Sequence, residues 1–215
     1  MNKARLLFVL SRAEACRPFL TRLQAQKPLI HELLPRCCQL FLSLAEDVML
    51  PEKIPATSGA ISSLNLKDSS LYKEPGHATY MRLLTQTLEG VDRDEKKKLA
   101  EELMSASKAQ LQYLKEHLPF NHVLYRSVLF ADPTRRKEPE LQNRGNTVAN
   151  IFKRFSESEK AKILVQLGVY KTLPDDQVPP FDEVNGRVDH CTMCTLVSIF
   201  TSQPNKLRPT VKVVF

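Results

Sequence analysis

The sequence predicts a mainly α-helical protein, an irregular helical bundle with strand content under about 10%. Three observations carry that expectation. Apolar residues recur every three or four positions along most of the chain, the repeat of a helix that buries one stripe. Glycine is scarce, 6 residues in 215, which leaves few positive-φ turns for β-hairpins. The 14 prolines fall mostly where one periodic stretch gives way to another, as corners between helices.

Taken in order, Leu6, Leu7, Leu10, Ala13, Phe19 and Leu20 predict a first helix over 4–17, which Pro18 is expected to end before another begins. Pro28 suits a first helical turn, where its missing N–H has no partner to lose. Behind it Leu29, Leu33, Cys37, Leu40, Phe41, Leu44 and Val48 form one stripe, predicting a helix over 29–49 that Pro35 should kink or split. Residues 51–74 are rich in Ser, Pro, Lys and Gly and read as a linker, with Leu64-Asn65-Leu66 as its one extended piece. Ala78, Met81, Leu84 and Leu88 predict a helix over 76–89, closed by Gly90. Leu99, Leu103, Leu111, Leu114 and Leu118 predict a long helix over 93–118, whose first turn holds Asp92, Asp94 and Glu95 where the helix dipole favours negative charge.

Val148, Ile151, Phe152 and Phe155 predict a helix over 146–155. Ser156 and Glu159 form a capping box for another over 157–167, expected to stop at Gly168. A loop over 173–181, a last helix over 188–200 and a β-branched run over 208–215 complete the pattern. The organisation expected is therefore amino-terminal helices in 1–50, the linker in 51–74, a helical domain in 75–200 and a tail in 201–215.

The net charge of +7 is compatible with a polyanionic partner without demonstrating one. Its two densest groups are Lys96-Lys97-Lys98 and Arg135-Arg136-Lys137, and solvated surface is the ordinary reading of each. The start of the chain lacks the pattern of a secretory signal, and no run approaches the ~20 apolar residues of a membrane span. The five cysteines thus read as reduced thiols inside the cell.

His190, Cys191 and Cys194 are the sharpest local signal for a metal, but a structural zinc site wants four ligands. Cys37 and Cys38, the other pair, are adjacent and point about 100° apart on a helix. Buried thiols are the favoured reading, with metal and redox roles as the alternatives. Nucleophile-elbow and phosphate-loop motifs are absent, and His31, His77, His117 and His122 are isolated. No catalytic residue, metal site or cofactor is predicted.

One passage carries a resemblance. Tyr113-Leu114, Leu118-Pro119, Leu124, Val128, Asp132-Pro133 and Arg135 or Arg136 hold the places of the pattern "YLxxxLPxxxxLLxxLxxLDPxxR". Residues 19–34, "FLTRLQAQKPLIHELL", are similar to "FLxxFQxxKPLVHxLY", and "YKEPGHATYMRLL" to "vGxxTxxLL". "VDHCTMCTLVSIFTSQPNKLRPTVKVVF" sits where such chains read "DxYWxxVF…KYPxLxKVV". In this order the pieces resemble transposases of the hAT superfamily and the host proteins derived from them.

The resemblance implies the helical insertion of an RNase H-like core, truncated at both ends, with the two catalytic aspartates before Met1 and the glutamate after Phe215. Two departures stand out: Cys191-Thr192 replaces a Tyr-Trp pair, and Pro35 interrupts a helix that is continuous in the family. The chain also lacks the tryptophan that stacks on flipped bases in active members. The implied function is a non-catalytic fragment or domesticated remnant of a hAT-like transposase, in the nucleus rather than the cytoplasm. Weak, sequence-independent DNA binding would rest on Arg135, Arg136, Lys137, Lys153 and Arg154. The alternative is a helical protein-interaction module, without DNA binding, that docks through exposed apolar helix faces.

Overall fold

A computed structural model describes residues 2–24, 30–152 and 155–175. Among these the chain forms eight α-helices and no strand, apart from one isolated β-bridge between Met49 and Tyr72. It divides into two compact units, Met1–Tyr125 and Arg126–Phe215.

In the first unit α1 (Asn2–Leu23) and α2 (Ile30–Val48) are each continuous across the proline expected to break them. Pro18 lacks the N–H that would bond to the carbonyl of Glu14, and both residues are exposed, so water can serve the freed oxygen. Pro35 comes early in α2 and forfeits only the bond to the His31 carbonyl. The predicted corner at Pro18 and split at Pro35 are therefore absent. Pro28 and Leu29 lie outside the described residues.

The stripe expected on α2 is the one buried: Cys37, Leu40, Phe41, Leu44 and Val48 all lie in the core. On α1 the helix is present but its buried face is a different one, made by Ala4, Phe8 and Arg12.

Arg12 explains that face. It is only 7% exposed, yet its Nη1 lies 2.6 Å from Asp47 Oδ2 near the end of α2. Its guanidinium carbon is 4.9 Å from the Phe8 ring centroid and 5.4 Å from that of Tyr80 on α4 (Thr79–Leu84). The two rings meet edge to face at 5.1 Å. One cation thus joins three helices by an ion pair and two ring faces, which suits the flat, weakly hydrated guanidinium. Arg22 adds a bidentate pair to the buried Glu32, at 3.0 and 2.7 Å, near the α1–α2 junction.

Residues 51–74, expected as a linker, are folded. They contain α3 (Ser58–Ser63), capped by Thr57, whose side chain accepts from the Ala60 N–H. Short 3-10 turns at Pro51–Lys53 and Ser69–Leu71 flank it. Ile61, Leu66, Leu71 and Tyr72 are buried. Polar groups hold the segment in place: Leu50 N–H donates to the Leu71 carbonyl, Lys73 N–H to that of Val48, and Lys115 Nζ to that of Leu64. Lys108 sits 4.1 Å above the Tyr72 ring.

The long helix α5 (Arg93–His117) appears as predicted, with Asp92 as its N-cap and Leu99, Leu103 and Leu111 buried. Gly90, at φ +75°, supplies the left-handed residue expected after the preceding helix. That helix is shorter than predicted: α4 is followed by a 3-10 turn over Thr85–Leu88. After Pro119 the chain turns so that Phe120 packs edge to face on Phe41 at 5.6 Å. The apolar block then forms α6 (Val123–Ser127) and a 3-10 turn, Val128–Ala131.

The second unit holds α7 (Leu141–Ile151) and α8 (Glu157–Thr172). The capping box is present: Ser156 Oγ accepts from the Glu159 N–H, and Glu159 Oε2 accepts from the Ser156 N–H. Two boundaries differ from expectation. α7 begins and ends earlier than 146–155, and its buried residues are Leu141, Gly145 and Ala149 rather than the predicted aromatic stripe. α8 continues past Gly168, because Tyr170 in its next turn is buried against Leu141. Burial of Tyr170 outweighs the roughly 1 kcal/mol that a mid-helix glycine costs.

Gly145 lets the two helices approach. A Cβ there would overlap Leu167 Cδ1, the end of a fully buried side chain that would have to shift. Gly145→Ala should destabilise the protein by about 1–2 kcal/mol, the overpacking cost outweighing the gain in helix propensity. Unchanged or raised stability in urea would contradict that packing.

Arg12 sets a second expectation. Asp47→Ala strands a buried cation and should cost about 2 kcal/mol, below the value for a fully buried pair because the Asp47 side chain is 30% exposed. Arg12→Met, which keeps the packing volume, should cost less, and Asp47→Ala added to it should cost almost nothing more. Additive losses in this double-mutant cycle would rule out the coupling.

Candidate functional site

The basic cluster proposed from sequence lies at the start of the second unit. An aspartate-proline turn shapes it: Asp132 Oδ1 accepts from the Thr134 N–H at 2.9 Å and from its hydroxyl at 2.6 Å. A 3-10 turn over Pro133–Arg135 then brings successive cations toward different carboxylates.

Arg135 Nε lies 3.6 Å from Asp132 Oδ2, and its Nη1 3.4 Å from Glu138 Oε1. The Arg136 side chain is only 4% exposed; its Nη1 donates to the Lys171 carbonyl at 3.3 Å and its Nη2 pairs with Asp175. Lys137 Nζ donates to the other oxygen of Asp175 at 2.9 Å. Arg144, from α7, pairs with Glu138 and is 3.9 Å from Glu140.

Asp175 is held below the usual carboxylate range, first by the Lys137 hydrogen bond and then by the charges of Lys137 and Arg136. The structure thus brings Arg135, Arg136 and Lys137 together, each beside a carboxylate, with Asp175 shared by Arg136 and Lys137. Buried Arg136 ties the 132–138 segment to the end of α8. Lys153 and Arg154 lie outside the described residues.

The other triplet behaves differently. Lys96, Lys97 and Lys98, with Arg93, lie in the first turns of α5, and none has a carboxylate within 4 Å among the described residues. Asp92, Asp94 and Glu95 share those turns, so the local field is mixed in sign.

Of the cysteines, Cys37 is fully buried and its thiol is pushed up to about 12 by burial and by the neighbouring Cys38. The Cys38 and Cys16 thiols are also raised by burial. Such groups are poor thiolate donors at neutral pH. His190, Cys191 and Cys194 lie outside the described residues. Among the described residues no three His, Cys, Asp or Glu side chains converge as a metal site, and no helix is long and apolar enough to cross a membrane.

What the periodicity did not reveal is an apolar surface on α1. Leu6, Val9, Leu10, Leu20 and Leu23 are between 42% and 60% exposed, although they lie on a helix that also buries Ala4 and Phe8. The helix is apolar on two faces, and the unit covers one. The signal was present as heptad spacing (Leu6, Val9, Ala13, Cys16, Leu20, Leu23).

Two buried phenols set a pH limit on the fold. Tyr80 and Tyr170 are pushed up to about 12, in each case chiefly by burial, against an arginine that opposes the shift. In the unfolded chain they ionise near pH 10, so their contribution is complete below about pH 10 and is lost as pH rises through about 12. Their phenolate absorbance should emerge together with unfolding and disappear in Tyr80→Phe and Tyr170→Phe; ionisation of either while the helices persist would contradict their burial.

Compared with protein-family models, curated proteins and solved structures, the chain finds no match in any of the three.

Proposed function

We propose that this chain is a non-catalytic helical module, similar to the insertion region of hAT-like transposases, that works by associating with another protein surface in the nucleus. The observation that supports this reading is the exposed stripe on α1. Apolar side chains covering several turns of one helix, outside the core of their own unit, are a feature of docking surfaces more than of solvated helices. The closure of Arg135, Arg136 and Lys137 by carboxylates points the same way, because a cation must give up its acidic partner before it can neutralise a phosphate.

Nucleic-acid affinity is the secondary reading, favoured by Lys96, Lys97 and Lys98, which pair with no carboxylate among the described residues. It would be weak and blind to sequence, since no base-reading arrangement accompanies these charges.

A strand-cleavage assay with magnesium or manganese, run beside a salt titration of duplex binding, tests both readings. No cleavage is expected. Binding at low salt should disappear by physiological salt, and should weaken more in Lys96→Gln/Lys97→Gln/Lys98→Gln than in Arg135→Gln/Lys137→Gln. Metal-dependent cleavage abolished by one carboxylate substitution would overturn the non-catalytic reading. Tight, salt-resistant duplex binding would overturn association with protein as the main role.

A further inference from the structure

Arg136 and Lys137 converge on a single carboxylate. Arg136 Nη2 donates to one oxygen of Asp175, and Lys137 Nζ donates to the other at 2.9 Å. The partners are unequal. The Arg136 side chain is 4% exposed and is also held by the Lys171 carbonyl at 3.3 Å, whereas the Asp175 side chain is 77% exposed. The cation is built into the second unit. The anion lies at its surface, beyond the end of α8 at Thr172 and directly after Pro174.

That asymmetry decides what can move. Withdrawing Asp175 costs the carboxylate little, because most of it is already in water. Leaving buried Arg136 without a counter-charge costs far more. Asp175 therefore leaves only when another anion takes its place. The surrounding charges favour such an exchange. Within one ion-paired network Arg135, Arg136, Lys137 and Arg144 face Asp132, Glu138, Glu140 and Asp175, so withdrawing Asp175 leaves one positive charge uncompensated.

Charge also selects the incoming group. A carboxylate from solution has no advantage over one that its own chain holds beside the site. A phosphodiester in a nucleic-acid backbone carries a single charge, as Asp175 does, and gains nothing by replacing it. A phosphate monoester carries about −1.5 to −2 at neutral pH and has three acceptor oxygens, enough to engage Arg136 and Lys137 together.

We propose that Arg136 and Lys137 form a binding site for a phosphate monoester, and that Asp175 fills it as an intramolecular competitor. A free phosphomonoester and a phosphorylated side chain of another protein share that group. Only the second source rests on the association reading above, to which it would add a recognition chemistry.

Isothermal titration of the full chain at constant ionic strength, above the second phosphate pKa of about 6, tests the site. The probes are inorganic phosphate, a phosphoserine peptide and its unphosphorylated counterpart. Asp175→Asn should tighten phosphate binding about tenfold or more, because the competitor no longer holds the site most of the time. Lys137→Gln added to it should reverse most of that gain and leave the helical circular dichroism unchanged, since Lys137 is 62% exposed. A phosphopeptide bound more tightly than inorganic phosphate would support the site with a protein source, and equal binding would support it with a free one. Equal phosphate affinity in the unaltered chain and in Asp175→Asn would overturn the competitor. Acetate or chloride bound by Asp175→Asn as tightly as phosphate would reduce the site to an unpaired cation and overturn it as well. Duplex DNA bound more tightly than the phosphopeptide would overturn the choice of a monoester. A readout on the unaltered chain does not depend on how the variants fold: the carboxylate carbon-13 signal of Asp175 should shift as phosphate is added. A signal that stays fixed would overturn the exchange. The association reading fails separately, through salt-resistant duplex binding by the unaltered chain.

Discussion

The first unit is organised around a buried cation. Arg12 occupies a position that an apolar side chain would usually fill, and α1 can bury it only because Asp47 supplies a carboxylate and Phe8 and Tyr80 supply ring faces. Three helices are therefore oriented by one residue. Its Nε and Nη2, like the Tyr80 hydroxyl, are buried without a hydrogen-bond partner among the described residues, so the arrangement is demanding in geometry as well as in charge. An apolar core can shift by a rotamer; an ion pair between two rings has one arrangement. Rotating α1 to bury its more apolar face would expose that pair and leave Asp47 unmatched.

That constraint has a consequence for another face of the helix. Because Arg12 determines which face of α1 is buried, the leucine-rich heptad positions are turned away from the core. On α2 apolar surface and buried surface largely coincide. On α1 they do not: Leu6, Val9, Leu10, Leu20 and Leu23 are exposed while Arg12 is buried.

The second unit depends on close approach instead of charge. Gly145 brings α7 against Leu167, and Tyr170 seals the contact against Leu141. Arg136 then fastens the preceding segment to the end of α8 through the Lys171 carbonyl and Asp175. The basic run that looked like a surface feature in one dimension is a clasp in three. Arg135, Arg136 and Lys137, which stand together in sequence, meet acids 3, 39 and 38 residues away.

By itself the sequence determined the helical class, most of the stripe on α2, the extent of α5, the turn at Gly90 and the capping box at Ser156, since each depends on residues within a few turns of one another. Tertiary structure decided the rest. Pro18, Pro35 and Gly168 are local breakers that distant packing overrides, because the lost backbone bond or entropy is small beside the burial gained. Residues 51–74 lack periodicity, yet their few apolar side chains fill gaps between longer helices that only the assembled unit possesses. Which face of α1 is buried depended on Asp47, 35 positions away, and whether Arg136 is free depended on Asp175. Spacing can show that a helix has a face, but only its neighbours in space decide whether that face is covered.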